Sequence, residues 1–148
     1  MLGENPAILE SVLSLNAAIT TNELSAKDVE QIALTVSSVN ACNYCVATHV
    51  AVGSEMKIEN PELIKNIQGV SDNPKMDAIL KFTKEATLNR GQVAPETIKK
   101  LTDDFGIKNA TIIEILAVVG LYTFLNYLNH LTKPVIDFPE IEYTPITA

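Results

Sequence analysis

The chain has 148 residues, of which 47% are apolar and 5% aromatic, and it contains no Trp. That length fits a single domain spanning residues 1–148, and a chain of this size buries roughly 68–70% of its unfolded surface; the core must be built mainly from Leu, Ile, Val and Ala, and global disorder is excluded. A formal net charge of −7 excludes nucleic acid as a partner, because neutralising phosphates needs clustered Lys and Arg, and no basic amphipathic stretch suits an anionic membrane surface.

The N-terminal segment MLGENPAILE carries an early acid and a proline and no basic region ahead of an apolar run, so no signal peptide is predicted. Pro6 opens a helix to about Thr20. Ser25 and Asp28 form a capping box with Asp in the usual Glu position, starting a helix from Ala26 to about Ser38 with Val29, Ile32, Ala33 and Val36 at core spacing. Asn40 caps a helix from Ala41 to about Val52, ended by Gly53. Asn60-Pro61 and Asn73-Pro74 each place a cap ahead of proline. The first helix closes at Gly69, and the second closes at Gly91 with Ile79, Leu80, Phe82 and Thr83 inward. Ala94-Pro95 opens another, carrying Ile98, Leu101 and Phe105 and ended by Gly106.

Asn109 caps the last and most apolar helix, to about Leu131, and Pro134 forbids its continuation. Glu114 and Asn126 lie within its apolar run, which a membrane span rarely tolerates. It reads as a buried helix or an oligomer seam. The tail from Lys133 to Ala148 has no helical period and reads as an extended arm. With six to seven helices and no strand alternation, the expected fold class is all-α.

The only two cysteines are three residues apart. So short a loop gains little from a structural disulfide, and secreted scaffolds carry more cysteines, so a reducing cytoplasm is expected. On a helix, Cys42, Cys45 and His49 fall within about 60° of one another. A cap at Asn40 or Ala41 puts Cys42 in the first turn, where free N–H groups favour a thiolate. Tyr44 points to a different face, either shielding the sulfurs or packing in the core. Three readings of the cluster stand: a redox dithiol, a zinc site completed by Glu30 or His130, and plain core packing. Glu114 is a second candidate buried acid. His130, at the end of a helix, fits a terminal cap better than a ligand.

Glu30, Cys42, Cys45 and His49 follow E-x11-C-x2-C-x3-H, within the wording Val39-Asn40-Ala41-Cys42-Asn43-Tyr44-Cys45 and Thr48-His49. This pattern, with the arm Ile136-Asp137-Phe138-Pro139, resembles the alkyl hydroperoxidase D-like branch of the carboxymuconolactone decarboxylase superfamily over about residues 5 to 140. The resemblance implies an all-α homo-oligomer, a trimer or a hexamer, with no cofactor. It implies reduction of a hydroperoxide by the dithiol, which a thiol reductant or reducing protein partner restores. Carried over, Cys45 is the peroxidatic thiol, Cys42 the more exposed resolving thiol, and Glu30 with His49 the proton relay. The best-known members carry histidine where this chain has Tyr44, which leaves room for another substrate, for disulfide reductase or for decarboxylase-like chemistry. A rival from another class is a non-enzymatic metal-binding domain.

Overall fold

The computed structural model describes residues 2–19 and 23–147, and every regular element among them is helical. A short 3-10 turn at Leu2–Glu4 leads into α1 (Pro6–Ile19); α2 (Ala26–Val39), α3 (Asn43–Glu55), α4 (Asn60–Ile67) and α5 (Pro74–Leu88) follow. Then come α6 (Pro95–Lys99), continued by a π-helical stretch at Lys100–Asp104, and α7 (Asn109–Thr132). The expected end of α1 at Thr20 lies outside the described residues.

The middle of the molecule is α2, which packs against α3, α4, α5 and α7. Its capping box is present: the Asp28 N–H donates to Ser25 Oγ, and the Ser25 N–H donates to Asp28 Oδ2. Beyond the expected Val29, Ile32, Ala33 and Val36, it also buries Glu30, Leu34, Thr35, Ser37 and Ser38. A larger apolar cluster joins Ile32 and Val36 to Ile79, Leu80 and Phe82 of α5 and to Ile115 and Val118 of α7. A smaller one joins Leu34, Val46, Leu63 and Ile67, with Ile141 and Tyr143 of the C-terminal arm laid over it. Each fully buried Leu, Ile or Phe contributes about 1.5–3 kcal/mol relative to exposure.

Several helix boundaries differ from the sequence reading. Asn40 is the C-cap of α2 rather than the cap of α3, and Ala41 has φ 53°. The Cys42 N–H reaches the Ser37 carbonyl and the Ala41 N–H the Ser38 carbonyl, a Schellman ending that delays the next helix by two residues. Its left-handed position holds alanine where glycine is usual, which hides it from a glycine-based reading. Gly53 sits inside α3 because a side chain there would meet Leu63 Cδ2 at 2.6 Å. Glu59 and Lys108, rather than Asn60 and Asn109, are the N-cap residues of α4 and α7. Leu88 ends α5, with Arg90 and Gly91 both at positive φ beyond it.

α7 departs from one of its two sequence readings, that of a buried helix. By length and composition it is long and apolar enough to cross a membrane, yet it is not buried all round. One side meets α1, α2 and α5, while Ile113, Leu116, Phe124, Tyr127 and Leu131 stay exposed, Leu131 at 75%.

Candidate active site

The late start of α3 decides where the sulfurs lie. Cys42 is the N-cap residue and Cys45 the third helical residue, and no side chain caps the turn. Both sulfurs therefore sit in the first turn, where free N–H groups and the positive end of the dipole favour a thiolate. The sequence reading gave that advantage to Cys42 alone.

Cys42 and Cys45 are joined as a disulfide, with Cα atoms 5.2 Å apart. The expectation that Cys42 is the more exposed fails by area, because the two are 3% and 4% accessible. They differ in what reaches them. A cleft of about 310 Å³, whose walls include Tyr44, His130 and Lys133, opens onto Cys42 and not onto Cys45.

On the other side of the pair, His49 Nδ1–H donates to Glu30 Oε1 at 2.6 Å. Both side chains are buried, at 8% and 6% exposure. With Nδ1 committed to the carboxylate, Nε2 is the basic nitrogen of the neutral ring. The α2–α3 packing thus brings together all four residues the sequence singled out.

Three residues of α7 complete the surroundings, and the sequence reading assigned none of them to the site. Tyr122 lies edge-on to His49, with ring centroids 5.0 Å apart; burial, and then the Glu30 carboxylate, push its hydroxyl up to about 12. Asn126 is 1% exposed; its Nδ2 donates to Ser37 Oγ, and its Oδ1 accepts from Asn40 Nδ2. Asn129 Nδ2 donates to Cys45 Sγ at 3.4 Å. The spacing of i, i+4 and i+7 puts all three on one face. A polar stripe through an otherwise apolar helix was the signal that could have found them.

Tyr44 packs edge-on against Phe138 of the arm, with ring centroids 6.2 Å apart, and it also walls the cleft at Cys42, so it packs against the arm and shields that sulfur at once. His130 Nε2–H donates to the Asn40 carbonyl at 2.8 Å, which caps the end of α2 from a neighbouring helix. Glu114 is half-buried, and its Oε2 has no hydrogen-bond partner among the described residues. Among those residues, no group of three or more His, Cys, Asp or Glu is placed to hold a metal ion.

Solved structures share this architecture. The debrominase Bmp8, solved in complex with 2,3,4-tribromopyrrole, aligns with a TM-score of 0.79 at 20% identity, over 92% of this chain and 74% of its own. An uncharacterized peroxidase-related protein from Silicibacter sp. TM1040 gives 0.78 at 20% identity, over 88% and 71%. A protein of unknown function from Agrobacterium tumefaciens, described as an antioxidant defence protein AhpD candidate, gives 0.76 at 17% identity, over 90% and 95%. No curated protein matches the chain in sequence. Residues 6–85, which hold α1 to α5 and with them all four residues of the pattern, match the carboxymuconolactone decarboxylase family, and the chain belongs to that family, with the fold of its alkyl hydroperoxidase D-like members.

Proposed function

We infer that this protein is a thiol-dependent peroxidase. The observation that carries the reading is the Cys42–Cys45 pair in the first turn of α3, with the buried Glu30–His49 hydrogen bond beside it. Family membership and the peroxidase-related neighbours support it.

The chemistry takes three steps. The Cys45 thiolate attacks the terminal oxygen of a hydroperoxide and the O–O bond breaks, which leaves a sulfenic acid on Cys45 and an alkoxide that takes a proton through His49. The Cys42 thiol then condenses with the sulfenic acid, forming the disulfide and releasing water. An outside thiol entering by the cleft attacks Cys42 and frees Cys45, and a second one resolves the mixed disulfide, freeing Cys42 and leaving as the oxidised reductant. His49 is the proton carrier, and Glu30 orients its ring and balances its charge. A reducing compartment such as the cytoplasm supplies the thiol.

We also propose a homo-oligomer. Ile113, Leu116, Phe124, Tyr127 and Leu131 leave an exposed stripe along α7, and an apolar groove between Leu15 of α1 and Phe124 of α7 continues it. Contiguous exposed apolar surface of this kind marks protein–protein contact.

The test of the peroxidase reading is to add one equivalent of hydroperoxide to the fully reduced protein. The expected result is loss of both thiols, with an intramolecular disulfide found by mass spectrometry and release of the alcohol. Two thiols still titrating after the addition would overturn the reading.

A further inference from the structure

The N-terminus of α3 serves Cys42 and Cys45 alike, so it does not decide which sulfur carries the charge once the disulfide opens. Two features treat them differently. The cleft reaches Cys42 and not Cys45. The Asn129 amide reaches Cys45 Sγ at 3.4 Å, and among the described residues no comparable side-chain donor reaches Cys42.

Asn129 is not a loose surface group. It is half-buried, and its end of α7 is pinned to the end of α2 on both sides. Asn126 bonds to Asn40 and Ser37, and His130 bonds to the Asn40 carbonyl. The same turn of chain that ends α2 and launches α3 is thus tied to the helix that carries the amide.

We propose that Asn129 makes Cys45 the thiolate of the pair: its side-chain amide donates to the Cys45 sulfur and stabilises the charge that forms there when the disulfide opens. The proposal rests on the dithiol chemistry inferred above and adds a residue to it. In the reductive step, a thiolate of the reductant attacks Cys42 Sγ through the cleft. A bond forms between the reductant sulfur and Cys42, the Cys42–Cys45 bond breaks, and its electron pair leaves on Cys45. A second reductant thiolate then attacks the mixed disulfide and releases Cys42 as its own thiolate. An N–H bond to a charged acceptor is stronger than one to a neutral acceptor, so the amide favours Cys45 as leaving group, and thiols of lower pKa leave faster. In the peroxide step the same bond keeps Cys45 ionised. The titratable side chains around Cys45 and the cleft are Tyr44 and His49 on its own helix, Glu30 on α2, Tyr122 and His130 on α7, and Lys133 just beyond it; the amide adds a donor that does not titrate.

The experiment follows Cys45 by thiolate absorbance in a Cys42→Ser background. Asn129→Leu removes the amide at similar size, Asn129→Asp replaces the donor with a carboxylate, and Asn129→Gln keeps an amide as the folding-tolerant variant; helicity is checked in each. The Cys45 midpoint is expected to rise by roughly one unit in Asn129→Leu, further in Asn129→Asp, and less in Asn129→Gln. In a Cys45→Ser background the same changes leave the Cys42 midpoint in place. In the full chain, reduction of the disulfide by dithiothreitol slows roughly threefold in Asn129→Leu. An unmoved Cys45 midpoint in a folded variant, or an equal shift of Cys42, overturns the proposal. Neither readout uses peroxide. A wild-type protein inert to hydroperoxides overturns the peroxidase reading alone, and an unmoved midpoint in an active peroxidase overturns the role of Asn129 alone.

Discussion

Glu30 of α2 and His49 of α3 hold each other inside the protein through a 2.6 Å hydrogen bond, with both side chains almost wholly out of solvent. Removing either partner strands the other, and an unpaired buried charge costs about 3–5 kcal/mol. His49→Ala and Glu30→Ala are therefore each expected to lower stability on that order. The double variant should lose clearly less than the sum of the two, as measured by urea unfolding. In activity, His49→Ala should slow the reaction of Cys45 with hydroperoxide by on the order of 10²–10⁴, the usual worth of a positioned acid–base group. Additive stability losses would mean that the two groups do not act as a pair.

The turn that delivers Cys42 to the N-cap of α3 passes through Ala41 at φ 53°. An L-residue in the left-handed region costs roughly 1–2 kcal/mol, and glycine relieves that at an unfolded-state entropy cost of about 0.4–1 kcal/mol. Ala41→Gly should therefore stabilise the protein by about 0.5–1 kcal/mol, read as a raised midpoint in thermal or urea unfolding. A destabilised variant would show that the Ala41 methyl contributes packing worth more than its strain.

These two features mark the limit of what the sequence makes legible. Cys42, Cys45 and His49 are readable because helical spacing alone draws them to one face, whereas Glu30, on the helix before, is legible only through the family pattern E-x11-C-x2-C-x3-H, and the packing of α2 on α3 sets it against His49. The capping box at Ser25 and the cap at Asn73 are readable because a cap is a local hydrogen bond. The end of α2 is not, because its Schellman turn uses alanine where glycine is the usual signal. Tyr122, Asn126 and Asn129 lie more than seventy residues from the cysteines, and only the packing of α7 on α2 and α3 brings them there. In the sequence, Asn126 reads as an interruption of an apolar run. In the fold it is one step of a polar stripe aimed at the site.

Tyr122 offers a direct check of that stripe. Burial, and then the Glu30 carboxylate, push its hydroxyl from 10.0 up to about 12. Of the four tyrosines, it should be the last to ionise in a spectrophotometric titration of the folded protein, and Tyr122→Phe should remove that last step. The sign of its effect on stability follows from linkage. Below the unfolded value both states keep the proton; between the unfolded and folded values only the unfolded chain loses it. Stability should therefore fall as pH rises from 10.0 to about 12, by up to about 3 kcal/mol for a two-unit difference. Tyr122→Phe should flatten that part of the pH–stability curve. A native titration in which all four tyrosines ionise together near pH 10.0 would contradict this account.

The exposed stripe of α7 gives the last prediction. Ile113, Leu116, Phe124, Tyr127 and Leu131 recur at helical spacing on the side away from α2, and Gly120, with open space above it, flattens the middle of the same run. A stripe of this kind suits a seam between helices of separate copies, and a charge set in such a seam and left unpaired is costly. The wild-type protein should sediment as a homo-oligomer, and Phe124→Asp or Leu131→Asp should shift it toward the monomer while far-ultraviolet helicity is retained. Leu131 is 75% exposed within one copy, so its replacement does little to the isolated fold, and a change in sedimentation can be assigned to the contact. Both variants keep the Cys42–Cys45 pair and the Glu30–His49 bond, so disulfide formation with peroxide should survive in the dissociated protein. A wild-type protein that sediments as a monomer across the accessible concentration range would remove self-association as the reason for this surface.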